Sequence, residues 1–289
     1  MILGPPLAST AFLTAIAMIA FAANSLLCRM ALGAGLIDAA SFATVRVVAG
    51  ATVLTLIAVP RWRARGREKA DPIAVVSLFL YMAFFSFAYL SLAAGTGALI
   101  LFGAVQLTML SAALQGGEHF SWLSWVGLAL ALLGLVYLLS PGLAAPDPQG
   151  AVLMIIAGIA WGIYSLRGRR TADPLGATAN SFIFSVPLVV VVSLFALANV
   201  QASPRGVGLA IASGAIASAL GYVVWFAALG GLTATRAATV QLSVPIIAAF
   251  GGVVLLSEDV TVRLLIASAA TLGGIWIVLA QRTRPTDIR

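Results

Sequence analysis

Apolar residues run along this chain in long continuous stretches, and short connectors holding glycine, proline and nearly all the charge separate them. Ten such stretches can be marked: Ala8 to Cys28, Ala39 to Val59, Pro72 to Leu92, Gly97 to Gln115, Trp122 to Leu139, Gly150 to Leu166, Thr178 to Ala198, Val207 to Leu229, Ala237 to Leu256 and Val262 to Ala280. Each is long enough as a helix to cross about 30 Å of hydrocarbon at about 1.5 Å per residue. The runs do not alternate apolar and polar residues and are about twice the length of a barrel strand, which argues against a β-barrel. The pattern predicts an all-α polytopic membrane protein with ten transmembrane helices.

Composition strengthens this reading. Of 289 residues, 62% are hydrophobic and 9% charged, with a mean hydropathy of +1.09. A soluble domain carries about 25% charged residues, so soluble enzymes and nucleic-acid binders are set aside. The single cysteine, Cys28, forbids an internal disulfide and a cysteine-rich metal site, and no cofactor is expected. The first stretch lacks a basic leader and is longer than a signal-peptide core, so it is read as the first span.

The net charge of +7 reflects topology rather than nucleic acid. With the N-terminus in the cytoplasm, that side receives Arg61, Arg63, Arg65, Arg67, Lys69, Arg167, Arg169, Arg170, Arg236, Arg282, Arg284 and Arg289. The outer side receives Arg29, Arg205 and Arg263, while Arg46 lies within the second span. Twelve against three follows the positive-inside rule and puts both termini in the cytoplasm.

The chain also repeats itself. Ala20-Phe21-Ala22-Ala23-Asn24-Ser25-Leu26 stands 140 positions before Ala160-Trp161-Gly162-Ile163-Tyr164-Ser165-Leu166. Val105-Gln106-Leu107-Thr108 precedes Val240-Gln241-Leu242-Ser243 by 135, as Gly116-Gly117 precedes Gly251-Gly252. Glu118 and Gly134 precede Glu258 and Gly274 by 140. Five spans is an odd number, so two five-helix repeats, residues 1–145 and 146–289, enter the membrane in opposite senses. Such inverted repeats place a substrate site near the midplane between the halves and suit alternating access.

Pro245, Leu255-Leu256-Ser257-Glu258-Asp259 and Gly273-Gly274, echoed by Gly116-Gly117-Glu118, Gly127 and Gly134, resemble the EamA-type branch of the drug/metabolite transporter superfamily. Leu110 stands where the first half would repeat the proline, and Thr44-Val45-Arg46-Val47 resembles that family's arginine in the second span. Within the superfamily the chain looks most similar to aromatic amino-acid exporters of the YddG type. That similarity implies outward movement of aromatic and other neutral amino acids across a bacterial inner membrane, and it gives Arg46 a scaffold role.

The residues themselves add a site hypothesis. Tyr81, Phe85 and Tyr89 recur every four residues and share a helix face. Trp161 and Tyr164 lie mid-span in the sixth span, as do Tyr222 and Trp225 in the eighth; Tyr81, Phe85 and Trp161 are too deep for an interfacial aromatic belt, which leaves either lipid packing or a cavity wall. Polar Asn24, Ser25, Gln106, Ser165, Gln241 and Ser243 lie near the midplane, where they either orient a zwitterion or bond between helices. Arg46 is either a counter-charge for a substrate carboxylate or a structural tie, and Pro245 is a candidate hinge. The acids fall at span ends or in connectors, no nucleotide-binding loop is present and Lys69 is the only lysine. These facts favour a uniporter or exchanger of small molecules. The rivals are a multidrug or lipophilic-cation exporter, which calls for a membrane-embedded acid, and an intramembrane enzyme, for which no deep nucleophile–base pair is visible.

Overall fold

The computed structural model describes residues 7–115, 121–142, 145–168, 171, 173–229, 231–232 and 240–281. Its helices are α1 (Leu7–Leu32), α2 (Ala39–Arg65), α3 (Pro72–Ala88), α4 (Ala94–Gln115), α5 (Trp122–Leu139), α6 (Pro148–Gly168), α7 (Pro174–Phe195), α8 (Pro204–Leu229), α9 (Ser243–Leu256) and α10 (Val262–Gln281). Eight of them are long and apolar enough to span a membrane; α3 and α9 are shorter apolar helices of 17 and 14 residues. This is a multi-pass helical membrane protein.

Local chemistry sets the helix starts. Asp38 caps α2 by accepting from the Ser41 amide, Asp71 caps α3 ahead of Pro72, and Ser203 caps α8 ahead of Pro204. A side-chain cap is worth about 1 kcal/mol, and proline in the first turn forfeits no internal hydrogen bond. Two ends differ from expectation. The third helix stops at Ala88, four residues before Leu92, because the chain turns through Leu90 and Ser91. Pro245 sits in the first turn of α9, after a turn at Leu242, so it does not interrupt the described helix as a mid-span kink. By contrast, Pro187 does lie inside α7.

Small residues decide which helices meet closely. A Cβ on Gly158 would lie 2.6 Å from that of Ala104, and one on Gly162 would lie 2.8 Å from Thr108, so the Gly158/Gly162 pair seats α6 against α4. Gly127 and Gly274 do the same for α5 and α10, where Thr271 also donates to the Ala131 carbonyl at 3.4 Å. The other main pairings are α3 with α6, α2 with α7, α1 with α8, α1 with α9, α4 with α9, and both α3 with α7 and α2 with α8.

The helices run antiparallel between two faces. One face gathers Arg29, Asp38, Tyr89, Ala94, Asp147, Gln201, Arg263 and Glu258, and the other gathers Asp71, Arg167 and Asp173. Gly116, Gly117, Glu118, His119, Arg169, Arg170, Arg236, Arg282, Arg284, Asp287 and Arg289 lie outside the described residues.

Candidate functional site

The face holding Glu258 is sealed by polar ties between distant segments. Glu258 accepts from Arg29 Nε at 3.0 Å and from the Ala94 amide at 2.8 Å, joining the end of α9 to α1 and to the first turn of α4. A carboxylate at a helix N-terminus also gains from the unpaired amides there. Ser257, in the left-handed region at φ 53°, turns the chain so that the Glu258 amide returns to Gly252 O. Residues 36–38 pair with 201–203 through Asp38 N to Gln201 O at 2.7 Å and Ser203 N to Leu36 O at 2.8 Å. Burial pushes the Asp38 carboxyl up, but hydrogen bonds from Ser41 and Gln201 outweigh it and hold Asp38 below its ordinary value.

The opposite face opens into a cavity of about 260 Å³. Its mouth carries Glu68, Lys69, Asp71, Arg167 and Thr171, a mixture of both charge signs. Arg167 Nε donates to Asp71 Oδ2 at 2.6 Å across this rim. Hydrogen bonding from Arg167 holds the Asp71 carboxyl below its ordinary value; partial burial opposes this, and the Ile73 and Ala74 amides add to it.

Deeper in, the wall becomes aromatic: Trp161 and Tyr164 from α6, and Tyr222, Trp225 and Phe226 from α8. Trp161 stacks on Tyr222 with centroids 5.2 Å apart and lies 4.7 Å from Tyr81. Hydroxyls and an amide punctuate this surface: Ser165, Thr178, Ser181 and Gln241. Tyr164 donates to Thr178 at 3.0 Å, and Ser165 donates back to the Trp161 carbonyl at 2.8 Å.

Beyond Trp161 and Tyr222 lies a second space of only about 20 Å³, lined also by Phe21, Asn24, Ser25, Tyr81 and Phe85. It holds on the order of one water. A buried polar network runs beside it: Ser213 donates to Asn24 Oδ1 at 2.6 Å, Asn24 donates to the Tyr81 hydroxyl at 3.2 Å, and so does Arg46 at 3.2 Å. Residues 212–220 of α8 form a π-helical stretch, a feature that often marks functional positions. That stretch supplies Ser213 to Asn24 and Ser218 to Arg46.

Trp161, Tyr164, Ser165, Tyr222, Trp225 and Gln241 therefore surround the larger cavity, while Asn24, Ser25, Tyr81 and Phe85 join Trp161 and Tyr222 at the smaller one. Tyr89, Gln106 and Ser243 line neither of these two spaces. Tyr89 is fully buried on the sealed side, where its hydroxyl donates to Ala94 O at 3.3 Å; Gln106 is buried in α4; Ser243 donates to Val240 O at 2.6 Å at the start of α9. Sequence reasoning passed over Thr178, Ser181, Ser213 and Ser218. Isolated hydroxyls in apolar helices are common, and only the approach of α7 and the π-helical turn give these four a purpose.

An all-helical, multi-pass chain with a cavity open to one face and closed to the other has the form of a membrane transporter. The profile of the EamA-like transporter family matches residues 148–280, the second half. An uncharacterized protein of Pseudomonas aeruginosa is 46% identical over 273 residues, spanning 94% of this chain and 95% of that protein. A probable terminal-alkyne amino-acid exporter of Streptantibioticus cattleyicolor is 26% identical over 243 residues, spanning 81% and 80%. A protein of known crystal structure superposes with a TM-score of 0.63 at 20% identity over 91% of this chain and 98% of that one, a likeness of fold alone. Residues 148–280 of this chain thus match an EamA-like transporter domain.

Proposed function

We propose that the protein is a secondary transporter that exports small amphipathic metabolites, foremost aromatic and other neutral amino acids, as a uniporter or exchanger. The observation that carries this reading is the one-sided cavity with an aromatic wall and a rim of both charge signs. At about 260 Å³ it falls just below the ~300–1,000 Å³ of drug-sized ligand pockets, which favours a single metabolite. Rings offer stacking surface, while Thr178, Ser181, Ser165 and Gln241 offer hydrogen bonds to ammonium and carboxylate. The acids at this cavity, Glu68 and Asp71, stand at the mouth and not at its depth, which disfavours the lipophilic-cation rival. The resemblance to the amino-acid exporter of Streptantibioticus cattleyicolor supports the same substrate class.

Alternating access follows from ten spans in two inverted halves, residues 1–145 and 146–289, with α3 and α9 counted as short spans. The helix pairings support this. Exchanging α1–α5 with α6–α10 carries α3–α6 onto α1–α8, α4–α6 onto α1–α9 and α3–α7 onto α2–α8, and leaves α2–α7, α4–α9 and α5–α10 unchanged. We assign the open face to the cytoplasm of a bacterial inner membrane, because Arg61, Arg63, Arg67, Lys69 and Arg167 gather there. Asn24, Ser25, Tyr81, Phe85, Trp161, Tyr164, Ser165, Tyr222, Trp225 and Gln241 then form the substrate path.

Proteoliposome uptake of labelled tryptophan, phenylalanine, alanine and lysine, with and without an imposed proton gradient, tests the proposal. Gradient-independent flux of the neutral amino acids is expected, falling about tenfold or more in Trp161→Ala, since an aromatic anchor in a pocket is worth about 2 kcal/mol or more. Absence of flux for every amino acid removes the substrate class. Flux only under a gradient removes the uncoupled mechanism.

A further inference from the structure

Among the described residues, two nitrogens of the buried Arg46 guanidinium find no hydrogen-bond partner. The residue is 0% exposed; one terminal nitrogen donates to Tyr81 and, at 3.4 Å, to Ser218, while Nε and the other terminal nitrogen have no partner. Among the described residues the ion pairs are Arg29–Glu258, Arg61–Asp173 and Arg167–Asp71, so Arg46 has no carboxylate. The rings of Phe85 and Tyr81, with centroids 4.8 and 5.4 Å away, offset part of the cost. They leave the fork of N–H donors open. An unpaired buried charge is among the costliest features a core can hold, and a planar fork of donors matches a carboxylate.

The space next to this cation is directional. Tyr81 and Phe85, which touch Arg46, also line the small space beyond the cavity, and among the described residues Trp161 and Tyr222 alone border both spaces. Displacing that stacked pair joins the aromatic cavity to the network of Arg46, Asn24, Tyr81 and Ser213. A molecule whose ring takes the place of the Trp161–Tyr222 contact then extends its polar end toward Arg46. We infer that Arg46, with Tyr81 and Asn24, forms an occluded subsite for the carboxylate of the transported molecule. The inference rests on reading the cavity as an amino-acid path, and it departs from the scaffold role that the family resemblance implied.

The test is ligand-dependent thermal stabilisation of the purified protein in detergent. The probes are L-phenylalanine, L-phenylalaninamide, phenylacetate and phenethylamine, titrated to obtain apparent affinities. Phenylalanine is expected to bind about tenfold or more tighter than its amide, the value of a charged hydrogen bond. This preference should fall to about unity in Arg46→Gln and shrink in Tyr81→Phe, and Arg46→Lys should restore part of it. Tyr81→Phe keeps the ring, and the wild-type comparison needs no variant, so a misfolded Arg46→Gln leaves the question answerable. Equal binding of acid and amide, or a preference that survives in Arg46→Gln, overturns the subsite while the aromatic cavity stands. Binding of phenylacetate without phenylalanine upholds the subsite and removes the amino-acid reading. Binding of none of the four overturns both.

Discussion

Phe21, Asn24 and Ser25 occupy the same places in their segment as Trp161, Tyr164 and Ser165 do 140 residues later. The first set lines a space of about 20 Å³ and the second a cavity of about 260 Å³. Similar residue types thus line a closed seam at one set and an open vestibule at the other. Phe21 lies edge-on to Tyr222 and Trp225, at 5.9 and 5.8 Å. Around the closed set, Glu258 pins three helices together and residues 36–38 pair with 201–203. At the open set, the Arg167–Asp71 pair ties α6 to α3, Asn180 of α7 is tied to Arg67 and to the Glu68 carbonyl, and α7 and α8 both line the cavity. The openness lies in the ties at each face, not in the segment itself. Equivalent positions with opposite accessibility are what a carrier needs if it is to trade one vestibule for the other.

The closed side breaks most severely at Gly214. A Cβ there would overlap the Arg46 carbonyl oxygen, a backbone atom that cannot swing aside. Gly214→Val should cost about 3 kcal/mol, read as a lower thermal midpoint, and the adjacent Ser213–Asn24 bond should be lost with it. A variant of wild-type stability would mean that α2 and α8 do not approach as described.

The next effect sharpens the comparison without unfolding the protein. Glu258→Gln weakens the charged hydrogen bond to Arg29 and the favourable charge at the start of α4. The closed side should then open more often. Cys28, the single cysteine, is fully buried on that half of the molecule and serves as a native reporter. Its labelling by a maleimide should accelerate about tenfold, the equivalent of roughly 1.4 kcal/mol. An unchanged rate would show that the Glu258 tie does not hold the face shut.

Acid should have the smallest effect and act on both faces. Asp38 on the closed side and Asp71 at the open rim both have lowered values, as does Asp147, which accepts from the Gly150 amide and Ser91. A carboxyl lowered by folding stabilises the protein above its ordinary value of about 4 and loses that contribution as pH falls through the folded value. The thermal midpoint should stay flat from about pH 8 to 5 on account of these groups and decline only below about pH 4. Asp71→Asn should remove part of that decline, and a midpoint that already falls near neutral pH would contradict the assignment.

The hydrophobic pattern determined much of this protein. Continuous apolar runs have one stable answer in a bilayer, where every backbone group must be bonded within its own segment. Trp122–Leu139 was therefore legible to the residue, and the depth of Trp161, Tyr164, Tyr222 and Trp225 followed from counting along each run. The faces were not legible. Tyr81, Phe85 and Tyr89 share a helical stripe, yet α3 ends at Ala88 and Tyr89 turns into the seal. Gln106 and Gln241 stand at matching places, yet of the two only Gln241 lines the larger cavity. Ser213 and Ser218 meet Asn24 and Arg46 because a π-helical stretch changes the register of α8, an event no apolar count detects. The fate of Arg46 was likewise open: charge at depth demands partners, but sequence does not say whether neighbouring helices supply them. Periodicity fixes how each helix meets its solvent, and only the packing of helix against helix decides which buried polar atoms find partners.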